Sequence, residues 1–196
     1  MQIVHCDQTI KWIENDHGIH QPFLILDEDN EDDDPRSVME FNVTGFVVKS
    51  FLRDGGDYGH SLTLKLEDNV LAKVKAIIST SPQFEATSSY YSPIKGDNTV
   101  AFTNKENKTG SFEFIWDGRG ILNLNNVNDR HSISHTMITR GSEVYVEYTV
   151  EAWSYQKKGK ERTDGCRLTL LSIGLLESPH NTYDFESARK KRRMAY

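Results

Sequence analysis

From residue 41 the chain alternates. Phe41, Val43, Gly45 and Val47 are interleaved with Asn42, Thr44, Phe46 and Val48. This period of two predicts a strand with both faces partly apolar. Gly45, in mid-strand, marks a bend or bulge of the kind a closing sheet requires. Asp54-Gly55-Gly56-Asp57 predicts a turn, and a return strand over 60–66 sets Leu62, Leu64 and Leu66 on one face. Helical spacing follows in Val70, Leu71, Val74, Ile77 and Ile78, with Asp68 as the expected cap. Residues 79–96, rich in Ser, Thr, Pro and Tyr, read as an excursion with few core anchors. Two strands, over 99–103 and 111–116, are expected to form a hairpin joined by 104–110. Beyond the turn at 117–120 and a polar, irregular stretch at 123–135, the clearest strand runs over 143–155. It puts Val144, Val146, Tyr148, Val150 and Ala152 on one face. A final strand over 166–176 is expected to set Leu168 and Leu170 opposite Leu171, Ile173 and Leu175. About six strands and one convincing helix, with no internal repeat, predict an all-β barrel or sandwich.

Charge refines this reading. The 196 residues carry 23 Lys+Arg against 29 Asp+Glu, a formal net charge of −6. Seven of the acidic residues fall in the run 27–34, broken only by Asn30, and taking them away leaves +1. Such a run repels itself and is expected as a solvated linker; its functional reading is a mimic of nucleic acid that guards a basic groove. No apolar stretch approaches the ~20 residues that span a bilayer, so no membrane role is expected. The first residues lack a basic segment followed by an apolar one, which argues against a secretory signal. Cys6 and Cys166, two and far apart, fit a reducing compartment, and the expectation is a soluble intracellular protein.

Catalytic patterns are absent from the sequence: there is no G-x-S-x-G elbow, Gly-rich phosphate loop, H-E-x-x-H or C-x-x-C. Cys6, His17 and His20, or His131 and His135, supply at most an incomplete zinc set, so no metal or other cofactor is expected. The basic residues say more. Lys157, Lys158, Lys160 and Arg162 occupy the loop between the last two long strands, with Arg167 just beyond. Trp153 and Tyr155 stand beside them, on the strand face opposite the valines. Rings beside cations are what a single nucleic-acid strand needs, because bases stack on rings at ~1–3 kcal/mol each while cations follow phosphates. Tyr145 shares that strand face but is flanked by glutamates and reads as packing. Phe112, Phe114 and Trp116 share one predicted face, most of it core, with Trp116 expected to reach solvent beside Arg119. Lys49, Arg53 and Tyr58 surround the first hairpin and could line the same groove. Near the C-terminus, Arg189, Lys190, Lys191, Arg192 and Arg193 form an unbroken basic cluster that reads as a nuclear localisation signal or a phosphate-binding arm.

Several segments together carry a resemblance: Phe41-Asn42-Val43-Thr44-Gly45-Phe46-Val47-Val48-Lys49, the Ser-Leu-Thr-Leu-Lys-Leu strand and helix after it, Gly141-Ser142-Glu143-Val144-Tyr145-Val146-Glu147-Tyr148, and Gly165-Cys166-Arg167-Leu168-Thr169-Leu170 with its apolar close. Over residues 38–177 the chain resembles the OB-fold single-stranded-DNA-binding proteins of T7-like phages and large DNA viruses. That resemblance implies an all-β fold with one short helix, an OB-like β-barrel with extended loops and disordered tails. It also implies a non-enzymatic protein that binds single-stranded DNA in replication and recombination. On that analogy Trp153, Tyr155, Lys157, Lys158, Lys160 and Arg167 fall in a region OB-folds use for binding. The phage proteins end in an acidic tail, whereas this chain ends in a basic one, which points to a virus or mobile element working in a host nucleus.

The expected organisation is an N-terminal segment, 1–37, with the acidic linker 27–34; an OB-fold nucleic-acid-binding domain, 38–177; and a flexible basic tail, 178–196. Single-stranded DNA is the expected partner, with replication proteins and further copies of the chain as candidates. RNA binding and an OB-fold protein–protein module are the alternatives.

Overall fold

Period-two alternation becomes strand pairing in the computed structural model, which describes residues 9–15, 18–25, 38–53, 59–81, 92–105, 110–121, 123–156 and 162–179. In chain order the elements are β1 (Thr9–Glu14), β2 (Ile19–Ile25), β3 (Phe41–Phe51), β4 (His60–Lys65), α1 (Asp68–Ser79), β5 (Thr99–Asn104), β6 (Ile115–Asp117), β7 (His131–Ser132), β8 (Glu143–Gln156) and β9 (Arg162–Glu177). The fold is mostly β, with one α-helix among the described residues, and no described helix is long and apolar enough to cross a membrane.

Five strands close into a ring. β3 pairs β4, β4 pairs β5, β5 runs parallel to β9, β9 pairs β8, and β8 returns to β3. The registers are steeply staggered. Phe51 faces Ser61, Ser61 faces Thr103, Thr103 faces Thr169, and Thr169 faces Thr149, next to Tyr148, the partner of Phe41. A path leaving β3 at Phe51 therefore re-enters it beside Phe41, the stagger that closing a twisted sheet demands.

The inward rows fill the ring with Val43, Val47, Leu62, Leu64, Val100, Phe102, Val144, Val146, Tyr148, Val150, Leu168 and Leu170, and α1 adds Leu71, Val74 and Ile78 to the same cluster. Truncating a fully buried member such as Leu64 to Ala costs about 2–5 kcal/mol, because lost transfer energy adds to an unfilled cavity. Gly45 is needed for close approach: a Cβ there would meet the Leu66 side chain at 2.6 Å and the Lys65 carbonyl at 2.9 Å.

Among the described residues three register shifts interrupt the ring, and two of them reset the alternation. Between Val47 and Lys49 one residue of β3 is skipped, so Leu52 turns inward while Lys49 and Phe51 turn outward. The second irregularity pairs Glu147 with Ser172 but Tyr148 with Leu170, leaving Leu171 unopposed. It corrects the expected split of the last strand: Leu168, Leu170, Ile173 and Leu175 all enter one core.

Three further expectations are corrected. The 99–103 and 111–116 segments do not form a hairpin. β5 has β4 on one edge and β9 on the other, while β6 pairs parallel with β9 farther along, Ile115 opposite Ile173. Strand β6 also starts late, because the Ile115 amide donates to the Glu113 carbonyl at 2.9 Å, a three-residue turn that breaks the alternation. Finally, the helix N-cap is Glu67 rather than Asp68, which sits in the first turn and accepts a bond from the Asn98 side chain.

The β1–β2 hairpin extends the sheet through β8, Ile19 opposite Trp153 and His20 opposite Ala152. Trp12 Nε1 donates to Thr80 Oγ1 at 3.2 Å, tying the hairpin to the end of α1.

Candidate nucleic-acid interface

The outer face of β3, β4 and β5 follows from the inner one. Since Leu62, Leu64, Val100 and Phe102 point inward, Ser61, Thr63 and Lys65 on β4 and Thr99, Ala101 and Thr103 on β5 point out. On β3 the outward positions are Asn42, Thr44 and Phe46 before the bulge and Lys49 and Phe51 after it. Cross-strand register sets Phe46 beside Lys65, Lys49 beside Thr63, and Phe51 beside Ser61. Phe46 is 48% exposed and Phe51 is 54% exposed. The Lys49 ammonium lies 4.8 Å from the centroid of the Phe51 ring, and Arg53 follows, also exposed. None of these outward strand positions is acidic. The first carboxylate at the border is Glu143 of β8, across from Phe46.

The outer face of β8 and β9 has a different character. Trp116 packs edge-on against Tyr145 with ring centroids 5.9 Å apart, and its Nε1 donates to Ser172 Oγ at 3.4 Å. The Arg130 guanidinium lies 4.5 Å from the centroid of the Trp116 ring. It also donates to Glu147 Oε2 at 2.8 Å and to the Leu124 carbonyl at 2.9 Å. Burial would push the Glu147 carboxyl up, but bonds from Arg130 and Ser172 more than offset it and hold it below the usual carboxylate range. Farther along, Glu151 is buried, accepting from Arg167 Nε at 2.5 Å and from Thr169 Oγ1 at 2.9 Å. Every cation named on this face is matched by a carboxylate.

The residues expected to bind therefore fall in separate places. Lys49 and Arg53 join the acid-free face. Trp116, expected to reach solvent, is buried at 4% exposure because it covers Gly174 and Tyr145, and this corrects the sequence reading. Phe112 is buried too, whereas Phe114 is 60% exposed, so the three rings do not share one face. Arg119 is exposed and forks onto Asp117 of its own turn, Nε to Oδ1 at 2.8 Å and Nη2 to Oδ2 at 2.6 Å, which holds that carboxyl below its usual range. Arg167 is committed to Glu151. Trp153 is half-buried, its ring against Gly165, and stands eight residues from Tyr145 on β8, roughly 27 Å at ~3.4 Å per residue. The side chains of Tyr155 and Arg162, together with Tyr58, Lys157, Lys158, Lys160, the acidic run 27–34 and the basic cluster 189–193, lie outside the described residues.

Sequence reasoning missed Phe46, Phe51, Phe114 and Lys65. Alternation against Val43, Gly45 and Val47 was a sufficient signal for Phe46 and, across the hairpin, for Lys65. Phe51 had none, because unbroken alternation from Phe41 sends it inward and only the bulge turns it out.

No protein-family model matches this chain, and no curated protein does. Among solved structures it is similar to gp2.5, a single-stranded DNA binding protein encoded by bacteriophage T7, with a TM-score of 0.46 and 16% identity. The match covers 72% of this chain and 88% of that one. A likeness of this degree transfers neither a fold family nor a function.

Proposed function

We propose that the ring is an OB-like barrel whose β3–β4–β5 face binds single-stranded DNA without strong sequence preference. The observation that carries the reading is that face itself: two exposed phenylalanines, three cations in Lys49, Arg53 and Lys65, hydroxyls between them, and no acidic residue at its outward strand positions. Rings exposed on a sheet are accessible to unstacked bases and not to paired ones, which favours a single strand over a duplex. The pairing order adds support. Counted within the ring, β4 and β5 are its second and third strands, and the OB-fold uses its second and third strands with the 1–2 and 4–5 loops for oligonucleotides. Here those loops are the β3–β4 connection, which begins at Arg53, and the β8–β9 connection, which carries Lys157, Lys158 and Lys160. On this reading the protein is a binder that coats single strands during replication or recombination, and the basic cluster 189–193 serves as its nuclear signal or as a phosphate-binding arm.

Fluorescence anisotropy with labelled oligo-dT, its duplex and an RNA of equal length, across a salt series, tests the proposal. The expected result is tight binding to oligo-dT, weak binding to duplex, and log K falling with log salt. Three contacts give a slope of about −2, and the three loop lysines would bring it to about −4. Preference for the RNA would reassign the ligand. Absence of oligo-dT binding at low salt would overturn the proposal in favour of a protein–protein module.

A further inference from the structure

On the acid-free face the two exposed rings are not equivalent. Among the described residues no cation lies over the Phe46 ring, though Lys65 stands beside it in register, whereas Phe51 carries the Lys49 ammonium 4.8 Å from its centroid. Both project outward from one strand, and on the facing strand their partners Lys65 and Ser61 are four residues apart, ~13 Å at ~3.3 Å per residue. A stacked nucleic-acid strand advances ~3.4 Å per nucleotide, and one drawn out over rings about twice that, so the rings are roughly two nucleotides apart. Lys49 lies between them in sequence and on the same face.

We propose that Phe46 and Phe51 are two base-stacking stations on one nucleotide strand. Lys49 covers the Phe51 station in the free protein and leaves it for the intervening phosphate when a base arrives. The exchange is favourable because a cation over an exposed ring is held more weakly than a base stacked on it. The departing ammonium also exchanges an uncharged ring for a phosphate. The inference rests on the single-strand reading and specifies which residues meet the bases and which cation moves.

Two measurements on the full chain test it. In NMR the Lys49 ε-methylene protons, assigned by loss of their signal in Lys49→Arg, should lie upfield in the free protein from ring shielding. They should move to ordinary lysine positions on saturation with oligo-dT. Phe46→Ala and Phe51→Ala, both at exposed positions that leave the core intact, should each weaken oligo-dT binding between about five-fold and one-hundred-fold. If oligo-dT binds but the Lys49 signal stays upfield, or either variant changes affinity less than two-fold, the station assignment is overturned while the single-strand reading stands. If oligo-dT does not bind at all, both fall together.

Discussion

The Trp116 ring occupies the space that any side chain at Gly174 would fill: a Cβ there would come within 2.5 Å of two ring carbons. Gly174 faces Tyr145 across the β8–β9 pair, so glycine lets the indole lie against the sheet and reach both Tyr145 and Ser172. Gly174→Ala should force the ring away from these partners and cost about 1–3 kcal/mol, the usual penalty for overpacking a filled site. Urea unfolding measures it. Oligo-dT affinity of the folded variant should not change, since the Trp116 ring is buried over β8 and β9 rather than exposed to a ligand; a selective loss of affinity would return Trp116 to the binding surface.

Acid should weaken the β8–β9 outer face through Glu147. Its carboxyl is held below the ordinary value by Arg130 and Ser172 against the opposing effect of burial. A group depressed in the folded state stabilises above its unfolded pKa, and that contribution disappears as pH falls through the folded value. The stability difference between the native chain and Glu147→Gln should therefore be full near neutrality and shrink below about pH 4.5. Denaturant titrations from pH 3 to 7 provide the check, and a difference independent of pH would contradict this assignment.

Cys166 should be chemically silent in the folded protein. It is buried, and burial, with the Glu151 charge adding, pushes its thiol up to about 12. In a Cys6→Ser background, a disulfide reagent at pH 8 should react only as the protein unfolds, because the thiolate is the nucleophile. Stoichiometric labelling under native conditions would show that the β8–β9 strand opens far more readily than its pairing implies.

Charge removal should separate the two faces. Neutralising Lys49, Arg53 or Lys65 to Gln should leave stability within about 0.5 kcal/mol, as at other exposed sites. Each should flatten the log K against log salt slope for oligo-dT by about 0.7. Arg167→Gln should do the reverse, lowering stability by leaving the buried Glu151 carboxylate without its cation, with the salt slope unchanged.

The strands and most of the core were legible in the sequence because period-two alternation is a local property. Val144, Val146, Tyr148, Val150 and Ala152 are buried as the pattern requires, and so are Leu62 and Leu64. The helix was legible for the corresponding reason, its apolar residues recurring at helical spacing. Pairing partners were not legible. That 99–104 runs parallel to the last strand, rather than turning back on 111–116, depends on which edges remain open once the ring closes. The site divided along the same line. Lys49 and Arg53 could be picked out as cations near a turn, but whether a cation is available for a ligand is decided by its neighbours. Arg167 and Arg119 are matched by carboxylates, and Trp116 is covered by Arg130 and Tyr145. Phe51 marks the limit most sharply. Read locally it belongs in the core, and a single bulged residue before it, set by how β3 registers with β4, turns it out to the surface. Sequence by itself determined which segments are strands and which side chains are apolar. Only the tertiary structure decided which of those side chains face solvent, because register and closure are properties of several strands at once.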